Sequence, residues 1–351
     1  MTTSLPKPTV STEAVEEIGE VVQQQLTIAV QKETRRKWLH IAPRAGITLL
    51  ILVFLLRSVS WSTLLATLRH VHATTLLMAL GIGILCVIFS SYNWHCLVLA
   101  ERIRTDLARL VNLYFVGMAF SHFLPTSIGG DAVKAFYVGK ESGNMAGATS
   151  AVLMSRITGF LGMLLIALPI LLIWHASFSS TLIIGFLLLS LLITVMLGGI
   201  IFVSRNLSWV SSRFLKESWA RHRLVLMTVE IGDALVNAIR RPRSLSLAVF
   251  FGLLFWAASF LNYYAYADAL GMQVPLHFYI IAVSFSSIVA MLPISINGFG
   301  VREGSLVYAF SIAHVPAATS LLLAFLADAQ VLLFGVIGGC IYLAMDSKSK
   351  N

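Results

Sequence analysis

Six charged residues interrupt stretches of sequence that are otherwise apolar: Asp131, Lys134, Arg156, Arg302, Glu303 and Asp328. An unpaired charge at the centre of a membrane-inserted helix costs roughly 2.5–3.5 kcal/mol on insertion scales. Three acids and three bases in such surroundings must be paired, hydrated or held against a polar ligand. The set suits the escort of a polar headgroup: arginine offers a fork of donors matched to phosphate or carboxylate, and the carboxylates hold the opposing bases in place or meet a cationic headgroup. Arg156 and Asp328 sit at similar depths in their segments and are expected to meet as an ion pair. Asp131 and the Arg302-Glu303 pair instead follow two breaks in the apolar sequence, where the first turn of a new helix exposes unpaired N–H groups that favour an anion.

The breaks resemble one another. Leu124-Pro125-Thr126-Ser127-Ile128-Gly129-Gly130 and Leu292-Pro293-Ile294-Ser295-Ile296-Asn297-Gly298 share L-P-x-S-I-x-G, and Ala148-Thr149-Ser150 is echoed by Ala318-Thr319-Ser320. Pro125 and Pro293 end the incoming helix, while Gly129, Gly130, Gly298 and Gly300 allow tight reversals and close backbone approach. A broken helix also frees backbone donors and acceptors where lipid supplies none, which is how many transporters build a site near the membrane midplane. Asn297 adds a polar side chain to the second break.

The elements that must carry these residues are set by composition. Of 351 residues, 58% are hydrophobic and 12% charged, against about 25% charged in soluble domains. That excludes a soluble enzyme. Full spans read at 38–56, 74–94, 145–174, 181–203, 244–266 and 316–345, with two apolar stretches too short to span at 110–124 and 278–292. Bases crowd the region before residue 45 and the loop at 204–243, so both belong in the cytoplasm with the C-terminus, and loops lacking Lys and Arg at 175–180 and 267–277 face out. This closes only if both short stretches are re-entrant and enter from opposite sides. The expected fold is therefore all-α and polytopic, with about six full spans and two broken hairpins in an inverted repeat. It divides into a cytoplasmic segment (1–37) that forms an interfacial or disordered helix, a first repeat (38–174), a second repeat (181–345) that includes the basic loop, and a cytoplasmic tail (346–351). The formal charge of +9 comes from bases beside apolar runs, which positive-inside retention and anionic headgroups explain without nucleic acid.

Other signals are weaker. Cys86, Cys96 and Cys340 lie in or beside apolar runs without metal-ligand spacing and read as small core residues. His70 and His72 lack carboxylate or cysteine partners and read as solvated or interfacial, and His122 reads as a satisfied core histidine. Trp38, Trp61, Trp94 and Trp174 fall at span ends and read as interfacial anchors. Asn206-Leu207-Ser208 is a sequon on the cytoplasmic side, where it carries no meaning. There is no Walker A, HExxH or GxSxG motif, so no cofactor or metal is expected.

Pro125 with Gly129-Gly130-Asp131 and Lys134, then Ser155-Arg156, then Pro293 with Asn297-Gly298-Phe299-Gly300-Val301-Arg302-Glu303, resembles the lysylphosphatidylglycerol synthase transmembrane-region family of flippase-like membrane proteins over residues 38–345. The resemblance implies an inner-membrane bundle, fused in the best understood members to a cytoplasmic aminoacyl transferase. The sequence stops six residues after Met345, so no transferase segment is expected in it. Its leading functional expectation is a non-enzymatic translocase for a polar-headed lipid of phospholipid or polyprenyl-phosphate type. The alternatives are a scaffold that positions a separately encoded lipid-modifying enzyme through the basic loop, and a membrane-embedded enzyme using Asp131 or Glu303 as a base, disfavoured because no nucleophile accompanies them.

Overall fold

Long apolar runs without water to pair their backbone become helices, and every regular element of the computed structural model among the described residues is helical. The structure describes residues 73–123, 129–205, 236–237, 240–292, 294–295 and 298–349. The α-helices are α1 (Ala73–Ala100), α2 (Leu107–Phe123), α3 (Gly129–Ser142), α4 (Met145–Ile173), α5 (Ser180–Arg205), α6 (Pro242–Ala269), α7 (Leu276–Met291), α8 (Val301–Ser311) and α9 (Ala317–Ser349). Four stretches, Thr74–Ala100, Met145–Ile173, Pro242–Ala269 and Ala317–Met345, are long and apolar enough to cross a membrane, and α5 is apolar over Ser180–Met196. The span expected at 38–56, the N-terminal segment, the His70-His72 pair, Trp38, Trp61, the sequon and most of the basic loop lie outside the described residues.

One order of lengths recurs: a long helix, a short apolar helix, a break, a short polar-tipped helix and a long helix (α1 to α4, then α6 to α9). Local chemistry sets the boundaries. Asn144 caps α4 by accepting the Gly147 N–H at 2.8 Å. Pro242 opens α6 at a position where its missing N–H is harmless. Leu292 is extended (φ −69°, ψ 137°), as the residue before a proline must be. The α2–α3 hairpin leaves the bundle where it enters, because Arg109 at its start pairs with Glu141 at its end.

The hairpins reach the interior by close backbone packing. A β-carbon on Gly130 would stand 2.2 Å from the Gly117 carbonyl oxygen and from Ser121 Oγ, and one on Gly162 would stand 2.7 Å from Gly252 of α6. Small residues at such crossings replace the missing hydrophobic drive between helices in lipid. Trp94, Tyr279, Phe186 and Phe310 fill the core, while Leu77, Leu172, Leu188 and Leu343 stand outward. That outward apolar belt is the surface a bilayer solvates.

Candidate functional site

The six charged residues form two clusters, one beside each hairpin. In the first, α3 starts at the break with Gly129 and Gly130 buried, which carries Asp131 into its first turn, where the helix dipole favours an acid. Lys134 follows one turn later on the same face, and its Nζ lies 2.6 Å from Asp131 Oδ1. Arg156 reaches over from α4 to bond Asp131 Oδ2. The lysine is almost enclosed, its ammonium 4.5 Å from the Tyr114 ring centroid and 5.4 Å from that of Trp94, an arrangement in which aromatic faces replace part of its hydration. Arg156 is the accessible member, with a side chain 40% exposed.

In the second cluster Gly298 (φ +79°) and Gly300 (φ +83°) take left-handed conformations, and a β-carbon on Gly298 would come within 2.9 Å of Ala290. Glycine is required at both. Glu303 reaches back so that Oε2 accepts the Gly300 N–H, closing the start of α8. Arg302, one residue earlier, pairs with Asp328 of α9 and lies 3.6 Å from Glu303 Oε1 through its Nε. Ser286 of α7 holds the Arg302 carbonyl at 2.9 Å, tying the two legs of this hairpin.

Two cavities open onto these clusters. The first, of about 300 Å³, is lined by Asp131, Lys134, Arg156, Ser155, Ser90 and Asn93 among others; the second, of about 250 Å³, by Arg302, Asn262, Tyr263, Ser259 and Gln330 among others. Tyr114, Phe255, Trp256 and Ser287 line both, so these four side chains form the wall between them. The wall is pinned: Ser90 Oγ donates to Tyr114 Oη at 2.7 Å, and Trp256 Nε1 donates to the Gly159 carbonyl at 2.8 Å. Each cavity therefore offers a guanidinium, hydroxyls, amides and aromatic faces, the lining that accommodates a phosphate-bearing headgroup with its hydroxyl or amino substituents.

Several sequence expectations need correction. Arg156 does not meet Asp328. Each pairs instead within its own hairpin, because the break helix and the long helix that follows it pack together and bring their charges within reach. The anion seat expected at the start of α8 is taken by Glu303, which is fully buried and lines neither cavity. Trp94 is no interfacial anchor: α1 runs on to Ala100, which leaves this indole buried under Lys134. Cys340 is exposed, unlike the buried Cys86, since it sits on an outward apolar face of α9. Trp174 is 39% exposed and stacks on His277 at 5.3 Å.

Pro125, Pro293 and Asn297 lie outside the described residues, as does the side chain of His122. Sequence reasoning missed Tyr114, Phe255, Trp256, Asn262 and Gln330. The last two carried a signal, since an amide inside an apolar run must find a partner, and Asn262 Nδ2 donates to Gln330 Oε1 at 2.7 Å. The aromatic residues carried none, being indistinguishable from core.

Comparison of the sequence with known families finds a match over residues 41–339 to the model described as "Lysylphosphatidylglycerol synthase TM region". No curated protein and no solved structure matches the chain.

Proposed function

Because the chain belongs to the lysylphosphatidylglycerol synthase transmembrane-region family and is thus a multi-pass membrane protein of the flippase-like, lipid-modification kind, we propose that it translocates a polar-headed lipid across the cytoplasmic membrane. The substrate class is a phospholipid or polyprenyl phosphate, and the protein acts without catalysing a chemical change. One observation carries the reading: two cavities, each with its own ion cluster, share a single wall of Tyr114, Phe255, Trp256 and Ser287. The headgroup passes from one guanidinium to the other through that wall while the tails stay in the bilayer.

An inverted repeat of six spans and two opposed re-entrant hairpins is the architecture this mechanism needs. Two ends of the bundle support it. At one, Arg102, Arg104, Arg109, Lys140, Arg241 and Arg243 outnumber Glu101, Asp106 and Glu141, so the α2–α3 hairpin, which the Arg109–Glu141 pair closes, starts and finishes at a basic end. At the other, Trp174, Phe178 and His277 stack, and the 267–277 stretch that leads into α7 carries no Lys or Arg. The positive-inside rule makes the first end cytoplasmic.

The test is lipid movement in liposomes containing the purified protein, with fluorescent phosphatidylglycerol as the probe. Losing one charge-assisted contact in a partly dry site costs roughly 1.5–3 kcal/mol, or about tenfold to a hundredfold in rate. Arg302→Lys should be partly defective, keeping charge but losing the fork, and Arg302→Gln nearly inactive at normal expression. Wild-type rates in Arg302→Gln would make the residue an anchor. Absence of lipid movement, with binding of a lipid-modifying enzyme to the 204–243 loop, would establish the scaffold instead.

A further inference from the structure

The two clusters have opposite charge balance. Beside the first cavity, one acid faces two bases, and both oxygens of Asp131 are taken, Oδ1 by Lys134 and Oδ2 by Arg156. Beside the second, one base faces two acids. Arg302 serves Asp328 with Nη2 and Glu303 with Nε. The Glu303 side chain is 0% exposed and that of Asp328 14%, and Glu303 Oε1 has no hydrogen-bond partner among the described residues. The other titratable groups that line the second cavity are Tyr263 from α6, Cys86 from α1 and Tyr114 from α2, none of them a cation, while α7 presents the Ser286 hydroxyl to the Arg302 carbonyl. Among the described residues no second cation faces it. A buried excess negative charge is among the costliest arrangements a protein interior can hold, and two carboxyls sharing one site avoid it by keeping a proton between them.

We infer that Arg302, Glu303 and Asp328 form a proton-binding site, and that its proton is linked to the lipid phosphate so that an anionic headgroup and one proton move together. The second half rests on the translocation reading above; the first does not. A phosphate entering the second cavity competes with Asp328 for the Arg302 guanidinium. The released carboxylate, left in apolar surroundings, forms an O–H bond with a proton taken up from solvent. When that proton departs, Asp328 reclaims Arg302 and the phosphate is expelled. Only a proton changes partner, and the two binding events favour one another equally by linkage. The first cavity lacks the spare acid, so it binds phosphate without a proton, which gives the pathway its asymmetry.

The experiment uses the full-length protein in liposomes. Infrared spectroscopy of the protein without added lipid, carrying Glu101→Gln to remove the other carboxyl that holds a proton near pH 7, should show a protonated-carboxyl stretch at pH 7 that titrates away at alkaline pH, and the further variants are made in that background. Charge counting makes a sharp demand: either Asp328→Asn or Glu303→Gln alone should abolish it, because each leaves one acid for one base, whereas Asp131→Asn should leave it in place. Addition of dihexanoyl phosphatidylglycerol should take up about one proton per lipid bound, and movement of the fluorescent lipid should follow an imposed pH gradient. Absence of the carboxyl stretch from the Glu101→Gln protein overturns the site, whatever the further variants do. Lipid movement indifferent to the pH gradient, or following a sodium gradient instead, overturns the coupling. A carboxyl stretch that behaves as expected in a protein that moves no lipid overturns the translocation reading and the coupling with it, but not the site.

Discussion

Asp131 holds two cations and Arg302 touches two carboxyls, and the partner on the following long helix has its sign reversed: Arg156 beside the first hairpin, Asp328 beside the second. Such pairs are felt most when one member is removed, because the other is then left buried alone. Arg156→Leu and Asp131→Asn should therefore couple by about 0.5–3 kcal/mol in thermal stability measured in detergent. Arg156→Leu and Asp328→Asn should be additive within roughly 0.5 kcal/mol; coupling there would mean that the two hairpins exchange partners. A separate residue-scale effect concerns Glu101 at the end of α1. Burial pushes its carboxyl up to about 7, against a Ser150 hydrogen bond and the Arg241 charge that oppose the rise. The folded state thus keeps a proton that the unfolded chain has already lost. Stability present below the ordinary glutamate range is lost as pH climbs to about 7. Glu101→Gln should raise the melting temperature by about 2 °C at pH 8 and change it little near pH 4, a difference read directly by melting curves at the two pH values.

At the scale of elements, the hairpins depend on backbone proximity more than on helix propensity. Gly130 of α3 meets the Gly117 carbonyl oxygen of α2 so closely that a β-carbon would stand 2.2 Å away. Gly130→Ala must push the return leg outward and take Asp131 with it. It should cost about 1–3 kcal/mol and lower lipid movement more than it lowers expression. Gly81→Ala is the control, since nothing lies within 4 Å of its β-carbon position, and it should stabilise α1 by about 0.5–1 kcal/mol. Equal melting temperatures for Gly130→Ala and wild type would show that the leg has room. The second hairpin works differently: its two left-handed glycines and the Glu303 cap make a rigid corner that aims Arg302 at Asp328.

For the whole molecule, the decisive question is which face each hairpin enters from. Gly143 lies in the turn between α3 and α4, near the basic end, and His314 in the turn between α8 and α9. Single cysteines at these positions, in an otherwise cysteine-free protein, should react with an impermeant maleimide from opposite sides: Gly143→Cys only from the cytoplasm and His314→Cys only from outside. Labelling of Gly143→Cys from outside would sink the opposed-hairpin architecture, and with it the passage of a headgroup between two cavities.

Hydropathy and charge placement were enough to locate α1, α4, α5, α6 and α9 and to read α2 and α7 as too short to span, because lipid leaves the backbone no alternative to helix and length is counted directly in residues. The Pro and Gly clusters marked the breaks for an equally local reason, since ring geometry and the missing β-carbon act within a residue or two. The six charges were legible as a set because each is expensive in its place. Their partners were not. Arg156 and Asp328 sit at matching depths, and depth along a helix says nothing of rotation about it or of which neighbour it faces; packing at Gly130, Gly162 and Gly252 decided that. The same holds for the wall of Tyr114, Phe255, Trp256 and Ser287. Aromatic residues in an apolar run look alike until tertiary structure turns a few of them toward a cavity, because the hydrophobic effect that buries them has no direction.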